Sequence, residues 1–326
     1  MKAVVQDTYG SAEVLDLRDI DRPEPGPDDV IVQVCAAGVN PADWHCMTGK
    51  PYLMRLMGFG LRVPRSRVRG LDVAGRVEAV GGNVTRFRPG DEVYGVCDGS
   101  FAEYGRGRQD RLAPKPANLT FEQAAAVPTA AFAALQGLRD TGQVQPGQNV
   151  LVIGAAGGIG TYAVQLAKAF GAEVTGLCST TKTELVRSIG ADHVIDYTRE
   201  DFTHFAEGAR RYDLILDTAG NRPLSLLRRA LTPGGTLVLV GGEGDGRWLQ
   251  GVDRTLQAIV LSPFTRQKLR GLMSAERAAD LDVLRHLIED GRVTPVIERT
   301  YALDEVPQAI RHLERGRARG KIVISL

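Results

Sequence analysis

The stretch NVLVIGAAGGIG, residues 149–160, is a short apolar run that ends in glycines and leads into the helical stretch Gly160 to Phe170. A buried strand, a glycine-rich turn and a helix, in that order, are the context of a dinucleotide-binding turn. Glycine lets the backbone approach a pyrophosphate, whose charge then meets free N–H groups and the positive end of the helix dipole. We therefore predict that phosphate groups are bound by Ala156, Gly157, Gly158 and Ile159.

The same alternation of strand and helix continues beyond this turn. Apolar strands are predicted at Glu173 to Cys178, His193 to Tyr197, Tyr212 to Asp217, Thr236 to Val240 and Gln257 to Leu261. Helices are predicted at Glu184 to Ile189 and Pro223 to Leu231. Apolar strands that alternate with amphipathic helices indicate a parallel, doubly wound sheet, and hence the α/β class.

The residues before this sheet have a different pattern. Strands are predicted at Val30 to Val34, Val73 to Val80 and Glu92 to Tyr94, with frequent Gly and Pro between them, which indicates a compact β-rich domain. An Ala-rich helical stretch, Phe121 to Leu138, is interrupted by Pro128. After the doubly wound region we expect a helix, Glu276 to Asp290, and a last strand, Lys321 to Ser325.

Composition excludes several classes of protein. Lys and Arg number 40 against 39 Asp and Glu, a net charge of +1, so overall charge gives no reason to expect a nucleic-acid or membrane-surface partner. No apolar run reaches the roughly 18 residues of a membrane span, and the first residues lack the apolar stretch of a signal peptide, so we expect a cytoplasmic protein. The four cysteines are scattered, without a CxxC pair, and predict neither a disulfide framework nor a structural zinc site.

The end of the second predicted strand indicates which dinucleotide is bound. NAD-binding sites place an Asp or Glu about 20 residues past the turn, where it accepts a hydrogen bond from the ribose 2′-hydroxyl. This chain has Cys178-Ser179-Thr180-Thr181-Lys182 there, with no acid before Glu184. Ser179 and Lys182 suit a 2′-phosphate, which a carboxylate would repel, so NADPH is the predicted cofactor. Ser179 and Thr180 also suit a helix N-cap, and the two roles are compatible.

Several motifs together resemble the medium-chain dehydrogenase/reductase superfamily. They are Gly70-Leu71-Asp72-Val73-Ala74-Gly75-Arg76-Val77, Val80-Gly81 and Phe87-Arg88-Pro89-Gly90-Asp91-Glu92-Val93. The zinc-independent quinone oxidoreductase branch is indicated by Asn40-Pro41-Ala42-Asp43, Gly99-Ser100-Phe101-Ala102-Glu103-Tyr104, Ala191-Asp192-His193-Val194-Ile195-Asp196-Tyr197 and Ala318-Arg319-Gly320-Lys321.

The resemblance implies a GroES-like β-rich catalytic domain built from both chain ends, with a Rossmann domain inserted between them. The boundaries are then 1–122 and 262–326 for the catalytic domain and 123–261 for the NADPH-binding domain. The resemblance also implies that Ser179 and Tyr197 lie near the 2′-phosphate. It places on the adenosine or nicotinamide path Thr218, Val240, Ser262, Phe264, Ala318 and Arg319, each of which has packing or a turn as its alternative role. We further expect a homodimer.

The resemblance also bears on metal binding. Zinc-dependent relatives carry Cys and His where this chain has Asn40 and Leu71, and their third ligand falls near Thr129. Asn and Leu cannot complete a zinc site with the usual N and S ligands, and His45 and Cys46 lack partners at those positions. We expect no metal.

Without a metal, reduction of a quinone or an activated C=C bond is favoured over that of a simple carbonyl, because charge on a conjugated oxygen is stabilised more readily by hydrogen bonds. Asn40 is a candidate donor of such a bond, and His45 is a candidate proton donor. Asn40 equally suits a role in holding the loop backbone, and solvent is an alternative source of the proton.

The predicted function is hydride transfer from NADPH to a small-molecule acceptor, a quinone or an α,β-unsaturated carbonyl compound. Two alternatives stay open: a pathway-specific enoyl reductase, and a weakly catalytic nucleotide-sensing or nucleic-acid-binding module. Pro51 to Arg69, in which Arg alternates with apolar residues, fits none of the motifs above. It suits a lid over a bulky apolar substrate, a solvated loop or a contact with anionic lipid.

Overall fold

The computed structural model describes residues 1–200, 211–241 and 252–326. It divides into two compact units, each with its own apolar core. The first unit comprises Met1–Phe132, Ala275–Gly291 and Pro295–Leu326, and the second comprises Ala133–Ser274 and Arg292–Thr294.

The strands of the described residues are labelled β1 to β15 in chain order. They are Lys2–Val5, Asp16–Asp19, Asp29–Val39, Asp72–Val80, Glu92–Val96, Tyr104–Arg108, Leu112–Pro114, Asn149–Ile153, Glu173–Cys178, His193–Asp196, Tyr212–Asp217, Leu231–Leu239, Lys268–Gly271, Ile297–Ala302 and Lys321–Ser325. The α-helices, α1 to α10, are Pro41–Thr48, Tyr52–Met54, Phe121–Ala125, Pro128–Gln136, Gly158–Ala169, Thr183–Ser188, Leu224–Ala230, Val252–Leu261, Ala278–Glu289 and Val306–Glu314.

The first unit is built around a seven-stranded sheet. Its strand order is β14-β15-β3-β4-β5-β7, and β6 also pairs with β3. The 11-residue strand β3 is the centre, because β4, β6 and β15 all pair with it in antiparallel register. The last strand of the sequence therefore lies inside this sheet, between β14 and β3. A β-rich GroES-like domain formed from both chain ends, as predicted, is confirmed.

The second unit contains a six-stranded, entirely parallel sheet in the order β10-β9-β8-β11-β12-β13. Numbered within the sheet, this is the order 3-2-1-4-5-6 of a dinucleotide-binding doubly wound sheet. The direction of winding reverses between β8 and β11, and ligands of such sheets bind at the carboxyl ends of the strands at this point. The predicted Rossmann fold is confirmed.

The predicted sixth strand, Gln257 to Leu261, is wrong. Those residues form the end of α8, and the sixth strand is β13, Lys268–Gly271. A short apolar run fits both a buried strand and one side of a helix, and periodicity alone cannot distinguish them. The parallel sheet consequently continues past residue 261, where the sequence placed the end of the nucleotide domain.

Pro128 interrupts the helical stretch after residue 121 as predicted, so that α3 and α4 are separate helices. No helix among the described residues has the length and apolar character needed to cross a membrane.

Candidate functional site

The glycine-rich turn directly follows the carboxyl end of β8. It lies at the point where the direction of winding of the parallel sheet reverses. Gly154 has a φ of 80°, and a Cβ at that position would lie 2.6 Å from the Thr218 hydroxyl oxygen. A Cβ on Gly160 would lie 2.0 Å from the Gly154 carbonyl oxygen, so glycine alone permits this close packing of helix on turn. Gly157 is the N-cap of the 12-residue helix α5, which begins at Gly158.

The start of α5 has the geometry of an anion site. The first N–H groups of an α-helix have no partner within the helix, and they point toward its positive end. Those of Gly158, Ile159 and Gly160 occupy this position, while the N–H of Thr161 already donates to Gly157. Ala156 is buried beneath the turn and Ile159 is half-buried. The structure thus brings together all four residues predicted to bind phosphate.

Thr218 and Val240 follow β11 and β12, the two strands on the far side of the reversal point. The Thr218 hydroxyl donates to the Ile153 carbonyl at 2.7 Å, which ties the end of β11 to the start of the turn. The Val240 N–H donates to the Asp217 carbonyl at 3.0 Å. Both residues therefore lie at the edge of the sheet that carries the turn. The Asp217 carboxylate, fully buried, forms an ion pair with Arg254 at 2.9 Å and fixes the chain after β11.

Ser179, Lys182 and Tyr197 gather at the carboxyl ends of the neighbouring strands β9 and β10. Ser179 precedes a single 3-10 turn, Thr180–Lys182, and the Tyr197 N–H donates to the Cys178 carbonyl at 3.1 Å. Tyr197 is half exposed, and the Arg222 guanidinium lies 5.3 Å from the centre of its ring. Sequence reasoning missed Arg222, because nothing in its local pattern indicates that it meets Tyr197.

A carboxylate also lies at this end of the sheet, which sequence reasoning did not anticipate. Asp196 is paired in register with Cys178, so it stands beside the position where an NAD-binding chain carries its acid. Its oxygens accept hydrogen bonds from the Thr180 hydroxyl at 2.5 Å and from the Thr198 N–H at 3.0 Å. Burial raises the pKa of Asp196, but these hydrogen bonds and Arg199 outweigh it, so the pKa is lowered on balance. The carboxylate is ionised and is occupied by its own loop.

Ser262 and Phe264 were predicted on the cofactor path, and that role stays a prediction. Both belong to a 3-10 turn, Ser262–Phe264, that precedes β13, and the Ser262 hydroxyl accepts from the Leu269 N–H at 3.2 Å. They therefore lie at the amino end of a parallel strand, the edge of the sheet opposite to the glycine-rich turn.

In the first unit, Asn40 belongs to a buried polar cluster rather than to an open surface. Its amide nitrogen donates to Asp72 Oδ2 at 2.9 Å, and its amide oxygen accepts from the Lys321 ammonium. Lys321 also donates to the Val39 carbonyl at 3.3 Å and lies 3.5 Å from Asp72 Oδ2. The other carboxylate oxygen of Asp72 accepts from the N–H of Thr129 at 3.1 Å and from its hydroxyl.

Burial makes this cluster strongly coupled. Asp72 is 0%, Asn40 2% and Lys321 3% exposed, so each charge has the others as its main compensation. Sequence reasoning quoted Asp72 and Lys321 as motif residues but gave them no role. The available signal was their position, since each is a charged first residue of a strand and is followed directly by apolar residues.

Asp43 is a second buried carboxylate beside this cluster, in the first turn of α1. It accepts a hydrogen bond from the Asn40 N–H at 2.8 Å, which satisfies one free donor at the start of the helix. Burial raises the pKa of Asp43 to about 7, with the negative charge of Asp72 acting in the same direction. The Asp43 side chain therefore titrates near neutral pH.

His45 is partly buried on α1, and its ring is fixed by one hydrogen bond. Nδ1 lies 2.8 Å from the Lys50 carbonyl oxygen, which can only accept, so Nδ1 carries the hydrogen. Burial lowers the pKa of His45, so the neutral ring, with Nε2 as an acceptor, is favoured at pH 7. His45 can donate a proton from Nε2 only in its protonated form.

Ala318 and Arg319 lie just before β15 in the first unit. Ala318 is partly buried against the core, and the Arg319 N–H donates to a carboxylate oxygen of Glu298 at 2.9 Å. Their place on the cofactor path stays a prediction. In the three described ranges, no group of three His, Cys, Asp or Glu side chains is arranged to hold a metal ion.

Comparison with known proteins gives two family models and several full-length relatives. An alcohol dehydrogenase GroES-like domain model matches residues 26–117, and a zinc-binding dehydrogenase model matches residues 189–324. The chain is 33% identical to a mitochondrial NAD(P)H oxidoreductase of Mus musculus, over 100% of the chain and 89% of the relative. It is 34% identical to a chloroplastic NADPH-dependent alkenal/one oxidoreductase of Arabidopsis thaliana, over 99% of the chain and 79% of the relative. The solved structure of a quinone oxidoreductase from Coxiella burnetii matches with a TM-score of 0.84 at 29% identity, over 100% of the chain and 99% of that structure.

Proposed function

Because the chain belongs to the medium-chain dehydrogenase/reductase superfamily, and to its quinone oxidoreductase branch, we propose that it transfers hydride from NADPH to a quinone or an α,β-unsaturated carbonyl acceptor. The observation that carries this proposal is the glycine-rich turn at the reversal point of the parallel sheet, with its unpaired N–H groups. The full-length relatives named as NAD(P)H and NADPH-dependent oxidoreductases support it.

The residues at the carboxyl ends of the parallel strands in the second unit fit NADPH. The N–H groups at the start of α5 would hold the pyrophosphate, and Ser179, Lys182 and Tyr197 would surround the 2′-phosphate, with Arg222 adding positive charge. The Asp196 carboxylate is held by the Thr180 and Thr198 donors, and the Arg199 guanidinium at 3.6 Å offsets its charge. NADPH, when bound, supplies the hydride.

In the first unit we propose that Asn40 is a positioning residue. Both polar ends of its amide are used within the buried cluster, so it holds Asp72 and Lys321 in place and fixes the start of α1. His45 stays a candidate proton donor, with solvent as its alternative, because its favoured neutral form has no hydrogen on Nε2.

We propose that the reaction needs no zinc. Asn40 and Leu71 stand at two ligand positions of the zinc-dependent relatives, and Thr129, near the third, donates to Asp72. A buried ammonium, that of Lys321, is the cation of this cluster.

We propose a homodimer through one edge of the second unit. Within the described residues β13 pairs only with β12, so its other edge is open, and Leu256, Ile259 and Val260 are 52%, 57% and 65% exposed on the adjacent helix α8. An open strand edge beside an apolar patch is typical of a self-complementary contact. Light scattering on an Ile259→Glu variant tests it, with a monomer as the expected result. A cytoplasmic location stays a prediction.

Titration of NADPH and NADH against intrinsic fluorescence, with turnover on a panel of small quinones and enones, tests the function. NADPH should bind more tightly, by about 1–3 kcal/mol for the charge-assisted contacts to the 2′-phosphate. Lys182→Ala should reduce that preference, whereas Lys168→Ala, which removes a lysine that pairs with Asp192 at 2.7 Å elsewhere in the unit, should not. Binding of NADPH without its consumption on any acceptor would favour the nucleotide-sensing alternative.

A further inference from the structure

Residues 51–69 of the first unit form a segment whose charged side chains are all positive. They include Arg55, Arg62, Arg65, Arg67 and Arg69 and contain no Asp or Glu, in a chain whose net charge is only +1. Four apolar side chains of the same segment are exposed, Leu56 at 67%, Phe59 at 43%, Leu61 at 65% and Val63 at 54%. Nothing in the proposed hydride transfer uses these residues.

The segment is held to the rest of the unit at Arg55, Phe59 and Gly60. The Tyr9 hydroxyl is 2.7 Å from both the Phe59 and the Gly60 carbonyl oxygens. The Arg55 guanidinium lies 4.2 Å from the centre of the Tyr9 ring and donates to the Gly49 carbonyl at 2.8 Å. Arg55 therefore has a structural role.

Two further arginines are also used internally. Arg67 forms an ion pair with Asp7, and Arg69 is buried. Arg62 and Arg65 differ from them, because they are exposed and their guanidinium groups form no hydrogen bond, ion pair or ring contact within the described part of the chain. Their charges are available to an external partner.

A tight loop presents these two arginines together with the apolar side chains. The Arg65 N–H donates to the Phe59 carbonyl at 2.9 Å, and Gly60, with a φ of 106°, makes the turn that this closure requires. Leu61, Arg62 and Val63 are consequently at the tip. We call residues 56–65 the tip loop.

We propose that the tip loop docks this protein on the surface of an anionic lipid bilayer. Apolar side chains that enter the headgroup region, beside cations that bind anionic headgroups, are the usual means of peripheral membrane attachment. A second copy of the chain is a poorer occupant, since a two-fold contact through this loop would bring Arg62 and Arg65 of both copies together. A solvated loop does not require four exposed apolar residues within eight positions.

Sedimentation with vesicles tests this docking on the full chain. The protein is mixed with vesicles of phosphatidylcholine alone, or of phosphatidylcholine with phosphatidylglycerol, and we expect binding to the anionic vesicles that weakens as NaCl is raised. The variant Arg62→Gln/Arg65→Gln should lose on the order of 30-fold in partition coefficient, from about 1 kcal/mol for each arginine near the surface. Leu61→Ser/Val63→Ser should lose about tenfold.

A matched control removes the same charge from another exposed stretch of the first unit. Arg315→Gln/Arg317→Gln should leave the partition unchanged. Equal sedimentation of the Arg62→Gln/Arg65→Gln variant and the wild type with anionic vesicles overturns the proposal. The proposal also fails if the wild type binds neither kind of vesicle. If the Arg62→Gln/Arg65→Gln variant instead changes oligomeric state, the loop is a contact between copies and the proposal fails.

One consequence rests on the proposed function: an acceptor dissolved in the bilayer becomes accessible to the docked enzyme. The Arg62→Gln/Arg65→Gln variant should then oxidise NADPH normally with a water-soluble quinone and more slowly with a long-chain quinone held in anionic vesicles. Loss with both acceptors would contradict the docking role, whereas inactivity of the wild type with both would count against the proposed function alone.

Discussion

Replacement of Asn40 by Ala separates a positioning role from direct action on the acceptor. The change deletes the amide that connects Asp72 and Lys321, and all three side chains are at most 3% exposed. After the change, Asp72 Oδ2 lacks one donor and the Lys321 ammonium lacks one acceptor, in a place that bulk water does not reach.

The expected loss of stability follows from these two contacts. A hydrogen bond to a charged group contributes about 1.5–3 kcal/mol, and the Lys321 ammonium keeps Val39 and Asp72 as partners, which limits the loss. We therefore expect the free energy of unfolding to fall by roughly 2–4 kcal/mol, which for a unit of this size lowers the melting temperature by roughly 5–15 °C.

The assay measures melting temperature, NADPH affinity and kcat on the same preparation, at a temperature at which the variant is fully folded. If Asn40 positions the cluster, melting falls while kcat of the folded protein with a small quinone stays close to that of the wild type. Asn40→Asp serves as the companion variant, because it keeps the shape of the side chain but adds a carboxylate beside Asp72.

The opposite pattern would contradict a positioning role for Asn40. A kcat lower by about 100-fold with unchanged melting and unchanged NADPH affinity is the behaviour of a transition-state donor. Asn40 would then act on the acceptor, and the bonds to Asp72 and Lys321 would serve to orient it.

Four further results are expected. Gly160→Ala should weaken NADPH binding by about 1–3 kcal/mol, because its Cβ would meet the Gly154 carbonyl at 2.0 Å, and an unchanged Kd would contradict the close packing. Burial raises the pKa of Asp43 from 3.8 to about 7, so its contribution to stability is full below pH 4 and is lost as pH rises through 7. Urea unfolding should therefore show the wild type losing stability relative to Asp43→Asn over that range. A difference that stays constant with pH would disprove the raised pKa. Burial lowers the pKa of His45, so if His45 is the acid kcat should fall as pH rises through that lowered pKa, and a flat pH profile that His45→Phe leaves unaltered would assign the proton to solvent. Treatment with a chelator should leave turnover intact, and stoichiometric zinc whose removal abolishes turnover would show that the enzyme depends on the metal.

The nucleotide-binding unit was largely predictable because its information is local. The run from β8 through the turn into α5 specifies strand, turn and helix in consecutive residues, and the residues predicted to bind phosphate follow directly from it. The error at the sixth strand also has a local origin. The run Gln257 to Leu261 is too short for its hydrophobic periodicity to distinguish a helix from a strand, and in the structure it is helical.

The polar cluster could not be predicted because its members are far apart in sequence. Asn40, Asp72 and Lys321 meet only because β3 pairs with both β4 and β15. Asp196 was missed for a similar reason, since it reaches the end of β9 from the neighbouring strand. A charged residue at the end of an apolar run was the available sign, but it does not identify its partner.

The place of β15 inside the seven-stranded sheet has a consequence for biosynthesis. Residues 321–325 are translated after every other strand of the first unit, yet β3 and β14 are joined only through them. The nucleotide-binding unit, whose described sheet is complete at residue 271, can therefore fold on the ribosome first, while residues 36–39 of β3 still lack a partner on one edge. Until Lys321 is added, the Asp72 carboxylate also lacks its cation. A nascent or truncated first unit therefore has both an open strand edge and a carboxylate without its ion-pair partner.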